Sequence, residues 1–514
     1  MSIIAGRSRE TDSDARPDVH GRIIASGAVM AAAAMVGAAA NFALVALVGR
    51  GLGATQTGVF FTSMGVFMVL ANASKLGADT GVVRFLARHL ALDSPSLLRP
   101  TMRIAVIPVA IVGTAVGAVV ALLRQPIAAA LIPDAADGEK IIVLLGVSIP
   151  LFAVATVTAA EARAMGRVGV FAMLQNVLLP LGRLAGVGVA LMLGAGLFGA
   201  FVGWAAVLPL LVVAGAWIAV STARDLERRI KPVTTATPMS HQSLRRSFWG
   251  FSGPRAVTAI VETTFEWVDV IIVGALAGPK DAGVYAVASR SVKVILLADY
   301  ATRVSLSTRI SAAFAREERT KVRDLYSVGT TGLIIIALPV LITLALFNQP
   351  LMEIFGHEFR SGGDVLVVLS LGMMLVVAAG SIQSILLLGG RSADQLVNKF
   401  AALTTLVVGC VVLVPLFGAV GGAIAWCAAS ALDTILAVWR VRGRYRISLP
   451  MRAVVRPAGA AIVSLVPIGV ITRYVAGDSL TSMIVASAIA LVVYVSVLIG
   501  MGLVRELRSV IQSV

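Results

Sequence analysis

Residues 262–278, ETTFEWVDVIIVGALAG, join a cluster of carboxylates to an apolar run. Glu262, Glu266 and Asp269 fall within eight residues, and Arg255 precedes them on the same segment. Carboxylates withdrawn from bulk water can take up protons or cations, or balance nearby positive side chains. On a helix, positions i, i+7, i+11 and i+14 lie within about 60° of one another, so the four residues form one stripe. That stripe has to face protein or a water-filled cavity, because a charge at the centre of a membrane helix costs about 2.5–3.5 kcal/mol.

The next apolar segment supplies the opposite sign. The short turn at 277–281 folds it back antiparallel, which sets residue 266 opposite about residue 291 and residue 262 opposite about residue 295. Arg290 and Lys293 then reach the depth of Glu266 and Glu262 and share a face, three residues apart. Two readings stand side by side: an ion-pair network that registers two helices, or the wall of a functional cavity. Arg183, in LLPLGRLAG, either caps carbonyls freed by Pro180 and Gly182 or serves as a cavity cation suited to phosphate. Lys75 and Lys399 lie toward segment ends, where they either snorkel to the interface or join the cavity. The expected substrate-cavity residues are Arg183, Arg290, Lys293, Arg255 and Lys75; Glu262, Glu266 and Asp269 are expected to couple or balance charge. Asp299 and Arg303, four residues apart, are expected to pair.

The elements that position these residues are set by composition. The chain has 514 residues, of which 58% are hydrophobic and 14% charged. Soluble domains carry about 25% charged residues, so this composition belongs in a bilayer. Fourteen apolar spans are expected, near 23–49, 56–78, 103–123, 141–162, 169–193, 197–221, 250–276, 282–302, 326–347, 363–388, 394–415, 419–439, 457–474 and 481–504. They are numbered 1 to 14 below. With the first residues cytoplasmic, the inner connections and flanks collect 31 Lys and Arg and the outer connections hold six. That asymmetry follows the positive-inside rule and predicts both termini in the cytoplasm of a cell inner membrane. The net charge of +16 is explained by basic loops at the anionic inner leaflet, not by nucleic acid.

Two turns recur. VGRGLGATQTGVFF begins at Val48 and VGALAGPKDAGVYA at Val273, an offset of 225 that aligns Gly53 with Gly278 and Gly58 with Gly283. LFGAFVGWA at 197 likewise resembles LFGAVGGAIA at 416. The match carries each helix onto the one six later, which gives a parallel repeat about an axis along the membrane normal. The expected organisation is a polar arm (1–22), an N-lobe of spans 1–6 (23–221), a basic linker (222–249), a C-lobe of spans 7–12 (250–441), and spans 13–14 with a tail (442–514). The fold class is therefore all-α, polytopic and pseudo-symmetric.

Catalytic, cofactor and metal sites are not expected. The four histidines fall in polar connections, and Cys410 and Cys427 lie in apolar runs without metal-ligand spacing. No phosphate-binding Walker loop occurs. The outer acidic cluster Asp134, Asp137 and Glu139 has no accompanying His.

The stretch GRGLGATQTGVFFTSMGVFMVLANASKLGADTGVVRFLARHLA, residues 49–91, resembles the multidrug/oligosaccharidyl-lipid/polysaccharide exporter superfamily, in its polysaccharide-flippase branch. The R-x-L-G turn at Arg50–Gly53, the start of span 2 at Gly58–Phe60 and the exit at Gly77–Phe85 carry the likeness. The resemblance implies translocation of an undecaprenyl- or decaprenyl-diphosphate-linked oligosaccharide by alternating access of two lobes. It also implies a cationic cavity lined by spans 1, 2, 7 and 8, and an apolar groove at spans 13 and 14. Expected partners are membrane lipids, the lipid-linked glycan, a glycan polymerase and glycosyltransferases. The alternative is a proton- or cation-coupled small-molecule antiporter that uses Glu262, Glu266 or Asp269. Span 1 departs from the lipid II flippases, which carry charge there, because residues 23–49 hold none.

Overall fold

The computed structural model describes residues 16–132, 137–230, 240–389 and 392–503, and within them helix is the only regular secondary structure. Asp134 and Arg391 lie outside the described residues, as do most of the polar arm and of the linker's Pro-containing stretch. The first helix begins at Arg16, inside the segment expected to be an arm.

Each of the fourteen expected spans falls on helix. Spans 1 and 2 are a single run, Arg16–Ser74, broken at Gly53; spans 11 and 12 are another, Ser392–Tyr445, broken at Gly418. Both glycines hold positive φ, 72° and 55°, which a side chain would oppose. Ten helical stretches among the described residues are long and apolar enough to cross a membrane, and two of these, Val29–Ala91 and Ala393–Tyr445, hold two spans each. The charged spans 7 and 8 fall outside that set of ten. The chain is a multi-pass membrane protein. Large apolar side chains such as Leu193, Trp217, Val463 and Val492 lie exposed on its perimeter, where lipid replaces water.

The halves meet through their repeated turns. Gly53 and its counterpart Gly278 share one unusual conformation, φ/ψ of 72°/176° and 94°/170°. A Cβ on Gly58 would overlap the Pro279 carbonyl oxygen, and a Cβ on Gly283 would overlap that of Ala54. All three pairs differ by the same 225 positions, so the pseudo-symmetry axis passes between Gly58 and Gly283. At the same end Arg50 Nε donates to the Ile354 carbonyl at 2.6 Å, and Glu358 accepts from the Ala54 amide at 2.8 Å. The second repeat is less regular. Spans 5 and 6 turn through Gly194 and Gly196, both at positive φ, whereas spans 11 and 12 turn at Gly418 alone.

Spans 13 (Met451–Ala476) and 14 (Leu480–Gly500) pack on span 9, Arg319–Leu346. Arg473 donates to the Leu346 carbonyl at 2.9 Å, and Ser479 and Ser482 cap the start of span 14 reciprocally.

Candidate functional site

Spans 1, 2, 5, 7 and 8 enclose a cavity of about 570 Å³ between the halves. Its charged lining comprises Arg183, Arg290, Lys293, Arg303 and one carboxylate, Glu266. Four cations against one carboxylate give the lining a positive excess.

Each cation is held differently. Span 5 opens with a π-helical turn, Ala172–Leu178, and then runs regularly as Leu179–Met192, so the helix is not broken at Arg183 as Pro180 and Gly182 suggested. A Pro near the first position of a new helical segment costs no hydrogen bond, and the widened turn ahead of it absorbs the mismatch. Gly186 and Gly203 bring spans 5 and 6 so close that a Cβ on either would overlap the other's carbonyl. That approach sets the Arg183 guanidinium 3.9 Å from the Trp204 ring centroid. Arg183 is only 5% exposed, and its Nε and Nη2 have no hydrogen-bond partner among the described residues. The Arg290 guanidinium lies between Phe61 at 4.6 Å and Trp267 at 4.3 Å, clamped by one ring from each half.

Span 8 is interrupted after Lys293, with helices Pro279–Lys293 and Leu296–Ala315 on either side. Lys293 Nζ donates to the Glu266 carbonyl at 3.1 Å and stands 4.0 Å from Asp269 Oδ2. Arg303 pairs with Asp299 at 3.1 Å, as their spacing predicts.

A second cavity, of about 420 Å³, lies within the C-lobe helices, spans 7 to 12. Glu266, Lys293, Leu296 and Arg303 line both cavities, so the span 7–8 hairpin is their common wall. Glu262 faces this second cavity. The carboxylates of Glu262 and Glu266 form no ion pair within 4 Å among the described residues.

The single stripe expected on span 7 therefore divides. Glu262 and Glu266 face open space, while Asp269 is fully buried and accepts from the Tyr285 hydroxyl at 2.9 Å. Span 8 covers this part of span 7, and the Tyr285 hydroxyl supplies the hydrogen bond that a buried carboxylate needs. Arg255 and Lys75 line neither cavity. The Arg255 backbone packs against the turn at Gly77, and Lys75 is buried in an ion pair with Asp79 at 3.1 Å. Both sit at a seam between the halves instead, where Arg84 lies over Phe251 and Phe85 packs on Phe248. Lys399 does not snorkel: its ammonium is 2.6 Å from Asp433 Oδ2 and lies over Phe265. The sequence marks Arg303 only as a pairing partner, and Gln395, Ser430 and Thr434 carry no charge to mark them in an apolar sequence; all four line cavities.

A family model described as "Polysaccharide biosynthesis protein" matches residues 60–364. Two proteins of Haloferax volcanii are similar in sequence. The probable low-salt glycan biosynthesis flippase Agl15 is 26% identical over 199 residues, 37% of this chain and 41% of that protein. The probable flippase AglR is 27% identical over 178 residues, 34% of this chain and 37% of that protein. The chain thus matches about two fifths of the length of these curated relatives. Among solved structures, the lipid II flippase MurJ in an inward closed conformation superposes with a TM-score of 0.68 at 12% identity, covering 91% of this chain and 97% of MurJ. An inward-facing multidrug resistance MATE family transporter of the MOP superfamily gives 0.59 at 14% identity, covering 79% and 94%. At such identities the likeness establishes a shared fold.

Proposed function

We propose, from the premise that the chain belongs to the polysaccharide biosynthesis protein family, that it is a flippase for polyprenyl-diphosphate-linked oligosaccharide. The observation that carries this is the cavity between the halves, with four cations against one carboxylate. A diphosphate offers oxygens in the planar spacing that guanidinium groups bind in pairs. Arg183, with two buried nitrogens unpartnered among the described residues, and Arg290, stacked between two rings, are placed to receive it. The names of the Haloferax relatives and the MurJ fold support the same reading.

The translocation works by alternating access, in which the N-lobe (23–221) and C-lobe (250–441) rock about the Gly58–Gly283 contact. In the state seen here the lobes are joined at the Gly53 end through Arg50 and Glu358. The Lys/Arg asymmetry supports placing that end outside an inner (cytoplasmic) membrane, with both termini in the cytoplasm. No bond is made or broken in the cargo, so the protein acts as a transporter without catalytic residues or cofactor. A glycan polymerase and glycosyltransferases are its functional partners.

Deleting the gene is expected to accumulate lipid-linked glycan in the cytoplasmic leaflet and to deplete the surface glycan; an unchanged glycolipid profile and surface glycan would refute the reading. The second reading, a proton- or cation-coupled antiporter, draws on the MATE fold and on Glu262 and Glu266, which lack ion-pair partners. Drug efflux that persists after both are changed to Gln removes it.

A further inference from the structure

We propose that the C-lobe cavity is a glycan subsite that takes the sugar nearest the diphosphate and selects neutral or amino sugars over uronates. The proposal rests on the flippase reading and adds to it where the sugar goes and of what kind it is.

Sugars are recognised by amide, hydroxyl and carboxylate groups placed around an aromatic face, and this cavity has that chemistry. Gln383, Gln395, Ser430 and Thr434 line it together with the Trp426 indole. Its volume, about 420 Å³, lies within the range of small-molecule sites, roughly 300–1,000 Å³. Two polar atoms are left waiting: Gln383 Oε1 and Asp433 Oδ1 are buried without a hydrogen-bond partner among the described residues. Asp433 is only 5% exposed and belongs to the wall of this space. A buried acceptor without a donor costs about 1–3 kcal/mol, and sugar hydroxyls are donors of the required kind.

Span 10 contributes backbone as well. Its helices Gly363–Ala378 and Ile382–Leu388 are separated by a break at Gly380, where φ is 59°. Irregular backbone at membrane depth is tolerated where it lines a cavity. Here Gly380 and Ser381 line it.

Most charges of this cavity are already paired. Asp433 is already paired with Lys399 at 2.6 Å, and Asp299 with Arg303 at 3.1 Å. Lys293 is turned to Asp269, 4.0 Å away, and to the Glu266 carbonyl, which leaves the carboxylates of Glu262 and Glu266. They accept from hydroxyls or an ammonium and repel a uronate. Position agrees with this. The cavity shares the Glu266–Lys293 wall with the cationic cavity, so a sugar attached directly to a diphosphate held there enters next door.

The test uses the full chain in nanodiscs and three lipids: bare polyprenyl diphosphate, the same lipid carrying N-acetylglucosamine, and the same lipid carrying glucuronate. The N-acetylglucosamine lipid is expected to bind about tenfold tighter than the bare lipid, and the glucuronate lipid no tighter than bare. The double variant Gln383→Leu/Thr434→Val is expected to lose the tenfold preference while binding bare lipid as before. Equal binding of bare and N-acetylglucosamine lipids by the unmodified chain overturns the subsite, as does a preference that survives the double variant. Tighter binding of the glucuronate lipid overturns the sugar class. If none of the three lipids binds, the flippase reading itself fails.

Discussion

Gly58 and Gly283, 225 residues apart in sequence, face each other across the pseudo-symmetry axis, and each lies against the carbonyl of the other half's turn, at Pro279 and Ala54. The contact is reciprocal, as a parallel repeat requires, and leaves no room for a methyl group on either side. Gly58→Ala is expected to destabilise the protein by about 1–3 kcal/mol, seen as a lower melting temperature in detergent, and to stop flipping. Gly332→Ala is the control. Gly332 sits within the span 9 helix with open space around its Cβ position, and the change is expected to be neutral or slightly stabilising.

Arg183 is a buried cation with no acid beside it among the described residues. Stacking on Trp204 offsets part of its desolvation, but two nitrogens remain unsatisfied. Replacing poorly compensated buried charges with apolar residues is often stabilising, by about 1–4 kcal/mol. Arg183→Leu is therefore expected to raise the melting temperature while abolishing flipping of the lipid-linked glycan. A variant that loses stability and function together would show that the residue is structural.

The Arg290 clamp separates charge from shape. Arg290→Lys keeps the charge but loses the flat guanidinium that fits between Phe61 and Trp267. It is expected to weaken binding of polyprenyl diphosphate about tenfold, since cation–π contacts contribute about 0.5–2 kcal/mol each. Trp267→Leu is expected to do the same. Binding measured by native mass spectrometry checks both.

Much of this site was legible in the sequence because charge is rare in such a chain. Every charged residue deep in an apolar run had to be accounted for, which singled out Arg183, Arg290, Lys293, Glu262 and Glu266, all on cavity walls, and with them Arg255 and Lys75, which line neither cavity. Turn glycines exposed the repeat, and Gly53 and Gly278 proved to share one conformation. Helical periodicity could not reveal that Asp269 points into span 8, since that depends on Tyr285 from another helix. Nor could it show that Lys75 finds Asp79 or that Lys399 finds Asp433, because distance from a span end does not fix which partner a side chain reaches. Small neutral cavity residues such as Ser430 and Thr434 leave no signature in an apolar sequence.

The Lys399–Asp433 pair is open to a double-mutant cycle. Lys399→Met alone leaves a carboxylate 5% exposed without a cation, and loss of one partner of a buried pair costs about 3–5 kcal/mol. Lys399→Met/Asp433→Leu removes both charges and is expected to recover most of the stability. Thermal unfolding of the three variants measures the coupling. Additive losses would mean that the two charges do not stabilise one another.

Glu358 ties the C-lobe to the first turn of span 2, where its carboxylate accepts the Ala54 amide at 2.8 Å. That amide opens the helical segment after Gly53, so the carboxylate also meets the positive end of the helix dipole. The bond exists only while the lobes are closed at this end, so Glu358→Ala removes stabilisation from the closed state alone. A loss of about 1 kcal/mol shifts the equilibrium toward opening roughly fivefold. The readout is a cysteine at Asn41, on the wall of the cavity between the lobes, and a membrane-impermeant thiol reagent added from outside. In an Asn41→Cys background, Glu358→Ala is expected to speed labelling about fivefold, while Arg360→Ala, a neighbour that bonds only within its own lobe, is expected to leave it unchanged. Slower or unaltered labelling of the Glu358→Ala chain would mean that this contact does not hold the lobes together.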